Sequence, residues 1–128
     1  MKHALIALCL TLSVVACKTT HTIYNADTTL STVNIKDKTL KRAIIEALLY
    51  KRWHVISEEE NKIIAGINVR QHYAEIEIPY QNGSFEINYR DSKKLDYDAA
   101  KNGIHRNYNK WIQLLESEIQ RNAYLLDN

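Results

Sequence analysis

The chain is poor in the residues that would announce several kinds of protein. It has 3 glycines and 2 cysteines in 128 residues. Gly66, Gly83 and Gly103 stand far apart, so no glycine-rich loop is present to cradle a phosphate. One of the two cysteines, Cys9, lies inside an apolar N-terminal run, which leaves no pair for a disulfide framework; the core must hold by packing. Charge of one sign is also missing. The 17 Lys and Arg nearly balance 15 Asp and Glu, a formal net charge of +2 that gives no long-range field for nucleic acid. No apolar run is long enough to span a bilayer, since Ala4 to Ala16 falls well short of the about 20 residues a spanning helix needs. The single Phe contrasts with 8 Tyr, aromatics that suit half-buried surfaces.

What is present at the N-terminus is an export pattern. Met1-Lys2-His3 supplies a short positive region, Ala4 to Ala16 the apolar segment, and Cys17-Lys18 an abrupt polar stop. Val14-Val15-Ala16-Cys17 resembles the lipobox of bacterial lipoproteins. The resemblance implies a signal peptide over 1–16, cleavage before Cys17, a thioether-linked diacylglycerol on Cys17 and N-acylation. Two or three acyl chains, at roughly 0.8 kcal/mol per buried methylene, hold a protein firmly where one does not. Ordinary cleavage that leaves Cys17 a free thiol, or a domain helix over 1–16, are the alternatives. Lys18, where an Asp would signal retention at the inner membrane, implies the periplasmic side of the outer membrane if the organism is Gram-negative. Residues 17–27, polar and Thr-rich, read as the lipidated Cys and a short tether, and 28–128 as a single domain.

Within that domain, Leu40, Ala43, Ile44, Ala47 and Leu48 follow helical spacing behind Asp37 as N-cap, which predicts a helix over 37–52. Ile104, Tyr108, Ile112, Leu115, Ile119 and Ala123 predict a second over 105–126. Asn82-Gly83 is the dipeptide a two-residue hairpin turn prefers, and pairing outward sets Tyr80 opposite Phe85, Ile76 opposite Tyr89 and Glu75 opposite Arg90. The apolar parity changes between Ile63–Val69 and Ala74–Ile78, which requires a turn within 70–73 and sets Val69 opposite Ala74. Trp53 to Ser57 supplies one more strand and Thr28 to Ile35 a further candidate. The expectation is an α+β two-layer sandwich: an antiparallel meander of four strands, or five with the first candidate, and two helices on one face.

Recognisable chemistry is scarce. Asn82-Gly83-Ser84 matches a glycosylation pattern but is explained by the turn. Asp96-Tyr97-Asp98 opens like a calcium loop, yet Ala100 and Lys101 stand where an acidic or amide residue and a glycine are required. No histidines are spaced as a helix-borne metal site would need. The meander instead gathers Arg70, His72, Asp91 and Ser92 at one rim, joined by His105 at the start of the last helix. Either this cluster fixes the long Asp91–Gly103 connection by hydrogen bonds, with Leu95 and Tyr97 pinning it to the core, or it is a ligand or partner site.

The run Tyr89-Arg90-Asp91-Ser92-Lys93-Lys94-Leu95-Asp96-Tyr97, continued by Ile104-His105-Arg106-Asn107-Tyr108-Asn109-Lys110-Trp111-Ile112, resembles a family of short single-domain bacterial lipoproteins with no assigned activity. The likeness covers roughly 40–119 and implies no substrate, cofactor or catalytic residue. The expected function is a non-enzymatic envelope module, without cofactor, anchored to the membrane through Cys17 and binding an envelope protein partner or a small ligand. The alternatives are a small hydrolase or metal-binding protein using His72, Asp91, Ser92 and His105, and self-association through an exposed sheet edge.

Overall fold

The hairpin at Asn82-Gly83 organises the sheet. In the computed structural model, which describes residues 18–31 and 34–127, both turn residues have positive φ, 52° and 76°, as a type I′ turn demands. Around it β5 (His72–Gln81) and β6 (Ser84–Lys93) pair with Tyr80 opposite Phe85, Glu77 opposite Asn88 and Ile76 opposite Tyr89. Residues 1–17, which include the expected signal peptide and lipidation site, lie outside the described residues.

Beyond Ile76 the register breaks: Glu75 stands opposite Asp91, so Arg90 is the extra residue of a bulge. The expected Glu75–Arg90 pairing is corrected accordingly. Arg90 nonetheless reaches Glu75, Nε to Oε2 at 2.8 Å. On the other side, β4 (Lys62–Val69) pairs with β5 through the turn Arg70-Gln71. Val69 therefore faces His72, not Ala74, and Ile67 faces Ala74. The register moves by an even step, which keeps Ile63, Ala65, Ile67, Ala74, Ile76 and Ile78 buried together on one face. β3 (His54–Glu59) runs along β4 and carries its own bulge between Val55 and Ser57.

The fifth strand, β2, covers Ala26–Thr29 and pairs with β6, giving the order β2-β6-β5-β4-β3. It starts earlier than expected and ends at Thr29, where Leu30 N–H donates to the Gly83 carbonyl. Helix α1 (Asp37–Tyr50) buries Leu40, Ala43, Ile44, Ala47 and Leu48, and α2 (Arg106–Asp127) buries Tyr108, Ile112, Leu115, Ile119, Asn122 and Ala123. Asp37 is the first helical residue, not the N-cap, which is Lys36. Its carboxylate instead accepts the Asn82 N–H at 2.9 Å and ties the helix start to the hairpin. The result is the expected α+β arrangement, with an antiparallel sheet of five strands.

The reading of 17–27 as a tether is corrected over its described part. β1 (Thr20–Thr22) pairs with β7 (Gly103–His105), Ile23 and Tyr24 pack against the core, and Ala26 is buried. Asn109 and Glu116 on α2 hold this stretch. Asn109 accepts Tyr24 N–H and donates to the Thr22 carbonyl, both at 2.9 Å. Glu116 accepts the hydroxyls of Tyr24 and Thr28, both at 2.7 Å.

Candidate functional site

Asp91, Ser92, His72, Arg70 and His105 share one end of the molecule, but the bulge at Arg90 separates them. Cross-strand partners share a face: Ser92 lies opposite buried Ala74 on the helix side, while Asp91 lies opposite Glu75 on the uncovered side. His72 is on the Ala74 side, where its ring centroid lies 6.0 Å from that of His105. Asp91 and His72 therefore project from opposite faces. The remaining partners are local. Asp91 accepts the Ser92 N–H, Ser92 shares a hydrogen bond with Tyr89 Oη at 2.8 Å, and His105 Nδ1 accepts the Asn107 N–H in the manner of a helix cap. Arg70 is exposed in the β4–β5 turn with φ 57°. No base–nucleophile contact forms among these five. Among the described residues, no three of His, Cys, Asp and Glu converge as a metal site would require.

The connection after β6 is held as expected at Leu95, which is 1% exposed. Tyr97 stays 43% exposed but stacks on Tyr89 with ring centroids 4.2 Å apart.

The more organised polar cluster lies on the sheet face that the helices leave uncovered. Gly66 of β4 stands opposite His54 and Glu75, and the absence of its side chain opens a notch. The His54 ring lies 2.9 Å, and the Tyr73 hydroxyl 3.0 Å, from the point a Cβ would occupy. Tyr73 donates to Glu75 Oε1 at 2.8 Å, and Glu75 Oε2 takes Arg90 Nε at 2.8 Å. Arg90 Nη1 is 4.0 Å from Glu77. Burial, then the Glu75 hydrogen bond and the charges of Glu75 and Asp91, push the Tyr73 phenol up to about 12, so it is a committed donor at neutral pH. Asp91, Lys93, Asn68 and Gln71 continue this surface as a shallow depression toward the β4–β5 turn.

This face is not uniformly polar. Ile64 points to it, between Ser57 and Glu77, and is only 2% exposed, while Ile56 on the bulge of β3 is 45% exposed. The edges are guarded against pairing: β3 carries its bulge and Glu58 and Glu59, and β2 is only 4 residues long. The sequence brought Glu75 and Arg90 together as cross-strand neighbours but did not mark His54, Tyr73 or Glu75 as site residues. The signal was Gly66, a lone glycine inside a strand, which marks a close approach by another group. Compared with known proteins, the chain matches no protein-family model and no curated protein.

Proposed function

We propose that the chain is a lipid-anchored protein of the cell envelope, attached through Cys17, whose uncovered sheet face binds a protein partner without catalysing a reaction. The anchor rests on the N-terminal pattern, a positive start, a short apolar run and Val14-Val15-Ala16-Cys17. Lys18 in place of Asp favours the periplasmic side of the outer membrane where two membranes exist. The observation that carries the binding role is the Tyr73–Glu75–Arg90 hydrogen-bond network, with the His54 ring beside it over Gly66, on the one sheet face that neither α1 nor α2 covers. Its hydrogen bonds fix side chains in defined positions, and exposed Ile56 adds apolar area on the neighbouring strand. Preorganised polar groups around a small apolar patch are what a recognition surface needs.

Site-specific photocrosslinking in intact envelopes tests the binding role. A benzophenone side chain at Glu77 or Glu86, on the uncovered face, yields a discrete crosslinked species, and one at Gln113 on the outer side of α2 does not. Arg90→Glu removes the species. Equal crosslinking from Gln113, or none from the sheet face, overturns the binding role.

A further inference from the structure

The start of the domain is clamped to the amino end of α2. Thr20, His21 and Thr22 pair with His105, Ile104 and Gly103, Arg106 N–H donates to the Thr19 carbonyl, and Ile23 N–H to the Asn102 carbonyl, both at 2.9 Å. Lys18, the neighbour of Cys17, consequently lies at this end of the molecule, in a groove with His21, Asp96, Asp98 and Lys101. The β4–β5 turn and the end of β6 reach the same place: His72 and His105 meet at 6.0 Å, and Lys94 Nζ donates to Gln71 at 3.2 Å.

Five exposed cations thus lie at the end where the chain leaves toward Cys17: Lys18, Arg70, Lys94, Lys101 and Arg106. None of the five forms an ion pair among the described residues. The nearby acids are fewer. Asp98 is occupied by the N–H groups of Ala100 and Lys101, Asp91 faces the uncovered side of the sheet, and Asp96 is exposed. The amino end of α2 adds the positive pole of its dipole.

We propose that this basic end lies flat against anionic phospholipid headgroups, with Lys18, Lys94, Lys101 and Arg106 facing them. The inference rests on the lipid anchor at Cys17. Only Lys18 and Thr19 separate Cys17 from paired Thr20, so these cations are held within the short range over which a charged membrane surface attracts them. The sheet face carrying Glu75, Glu77, Glu86 and Asp91 then stands clear of the surface. Membrane composition would thereby set how the binding face is presented.

The test uses the mature full-length protein reconstituted in phosphatidylcholine vesicles with about 30% phosphatidylglycerol, an anionic content chosen to attract basic residues. A fluorophore is placed on Ala100→Cys at the basic end or Gln81→Cys at the other, with a headgroup-attached quencher in the vesicles. The Ala100 label is quenched at least about threefold more than the Gln81 label, and the excess shrinks in vesicles of phosphatidylcholine alone and at high salt. Lys101→Glu with Arg106→Glu removes the excess, while Lys36→Glu with Lys38→Glu, the same charge change at the far end, leaves it. An acidic residue at the start of α2 favours the helix, so the first pair does not act by unfolding. Equal quenching of both labels on protein whose mass shows acylation overturns the orientation and leaves the anchor standing. An unacylated mature chain overturns both.

Discussion

The His54 imidazole occupies the space that a side chain on Gly66 would fill, 2.9 Å from the Cβ position. The backbone of Gly66 lies outside the positive-φ region, so alanine fits the strand and the conflict is with the neighbouring side chains alone. Gly66→Ala therefore displaces His54 and strains the Tyr73–Glu75 hydrogen bond, lowering stability by about 1 kcal/mol net of the gain from restricting the unfolded chain. His54→Ala in the same chain recovers most of that loss in a urea-denaturation double-mutant cycle, because the two residues share one space. Strict additivity of the two substitutions would contradict the packing described.

Tyr73 makes alkaline stability a readout of the same cluster. Its phenol titrates near 10 when unfolded and at about 12 in the native network. Below pH 10 both states hold the proton and this residue adds no slope; between pH 10 and about 12 the unfolded state ionises first and stability falls. Tyr73→Phe flattens part of that decline, measured as unfolding free energy against pH. An unchanged slope would show that burial and the Glu75 hydrogen bond do not raise the Tyr73 phenol.

Much of the architecture was legible because local and non-local signals agreed. Asn82-Gly83 gave the turn, and the apolar ladder from Tyr80–Phe85 to Ile76–Tyr89 followed from it. The break in parity before Ala74 required a second turn, although its place at Arg70-Gln71 depended on backbone detail that alternation does not encode. What stayed hidden was the bulge at Arg90. A continuous register would have set Asp91 beside Ala74 on the His72 side; one extra residue carries it to the other face and divides the expected rim. β1 and β7 were illegible for another reason. Each is 3 residues long, and Thr20-His21-Thr22 is polar throughout and finds its partner only across the folded chain.

The docking of that segment is itself testable. Asn109→Ala with Glu116→Ala removes the side chains that hold Thr22, Tyr24 and Thr28, leaving β1 its pairing to β7 and the flanking backbone bonds at Thr19 and Ile23. Amide exchange at 20–22 accelerates by about tenfold or more while the β5–β6 amides keep their protection. Uniform acceleration across both would mean that the segment opens only with the whole domain.

Tyr108 is an unused polar group in the core. It is 0% exposed, packs edge-on to Tyr89 with ring centroids 5.8 Å apart, and its hydroxyl has no hydrogen-bond partner among the described residues. Burial pushes its phenol far above the ordinary range. Removing a buried hydroxyl without a partner relieves a desolvation cost, so Tyr108→Phe is neutral or stabilising by up to about 1 kcal/mol in urea denaturation. A loss of more than about 1 kcal/mol would show that the hydroxyl is satisfied.

The anchor at Cys17 is the claim on which placement, orientation and partner all depend. Intact mass and fatty-acid labelling of the protein purified from envelopes test it most directly. The account predicts a mature chain beginning at Cys17, carrying diacylglycerol and incorporating labelled palmitate, with incorporation lost in Cys17→Ala. A mature chain of purely polypeptide mass, or labelling that persists without Cys17, would contradict it.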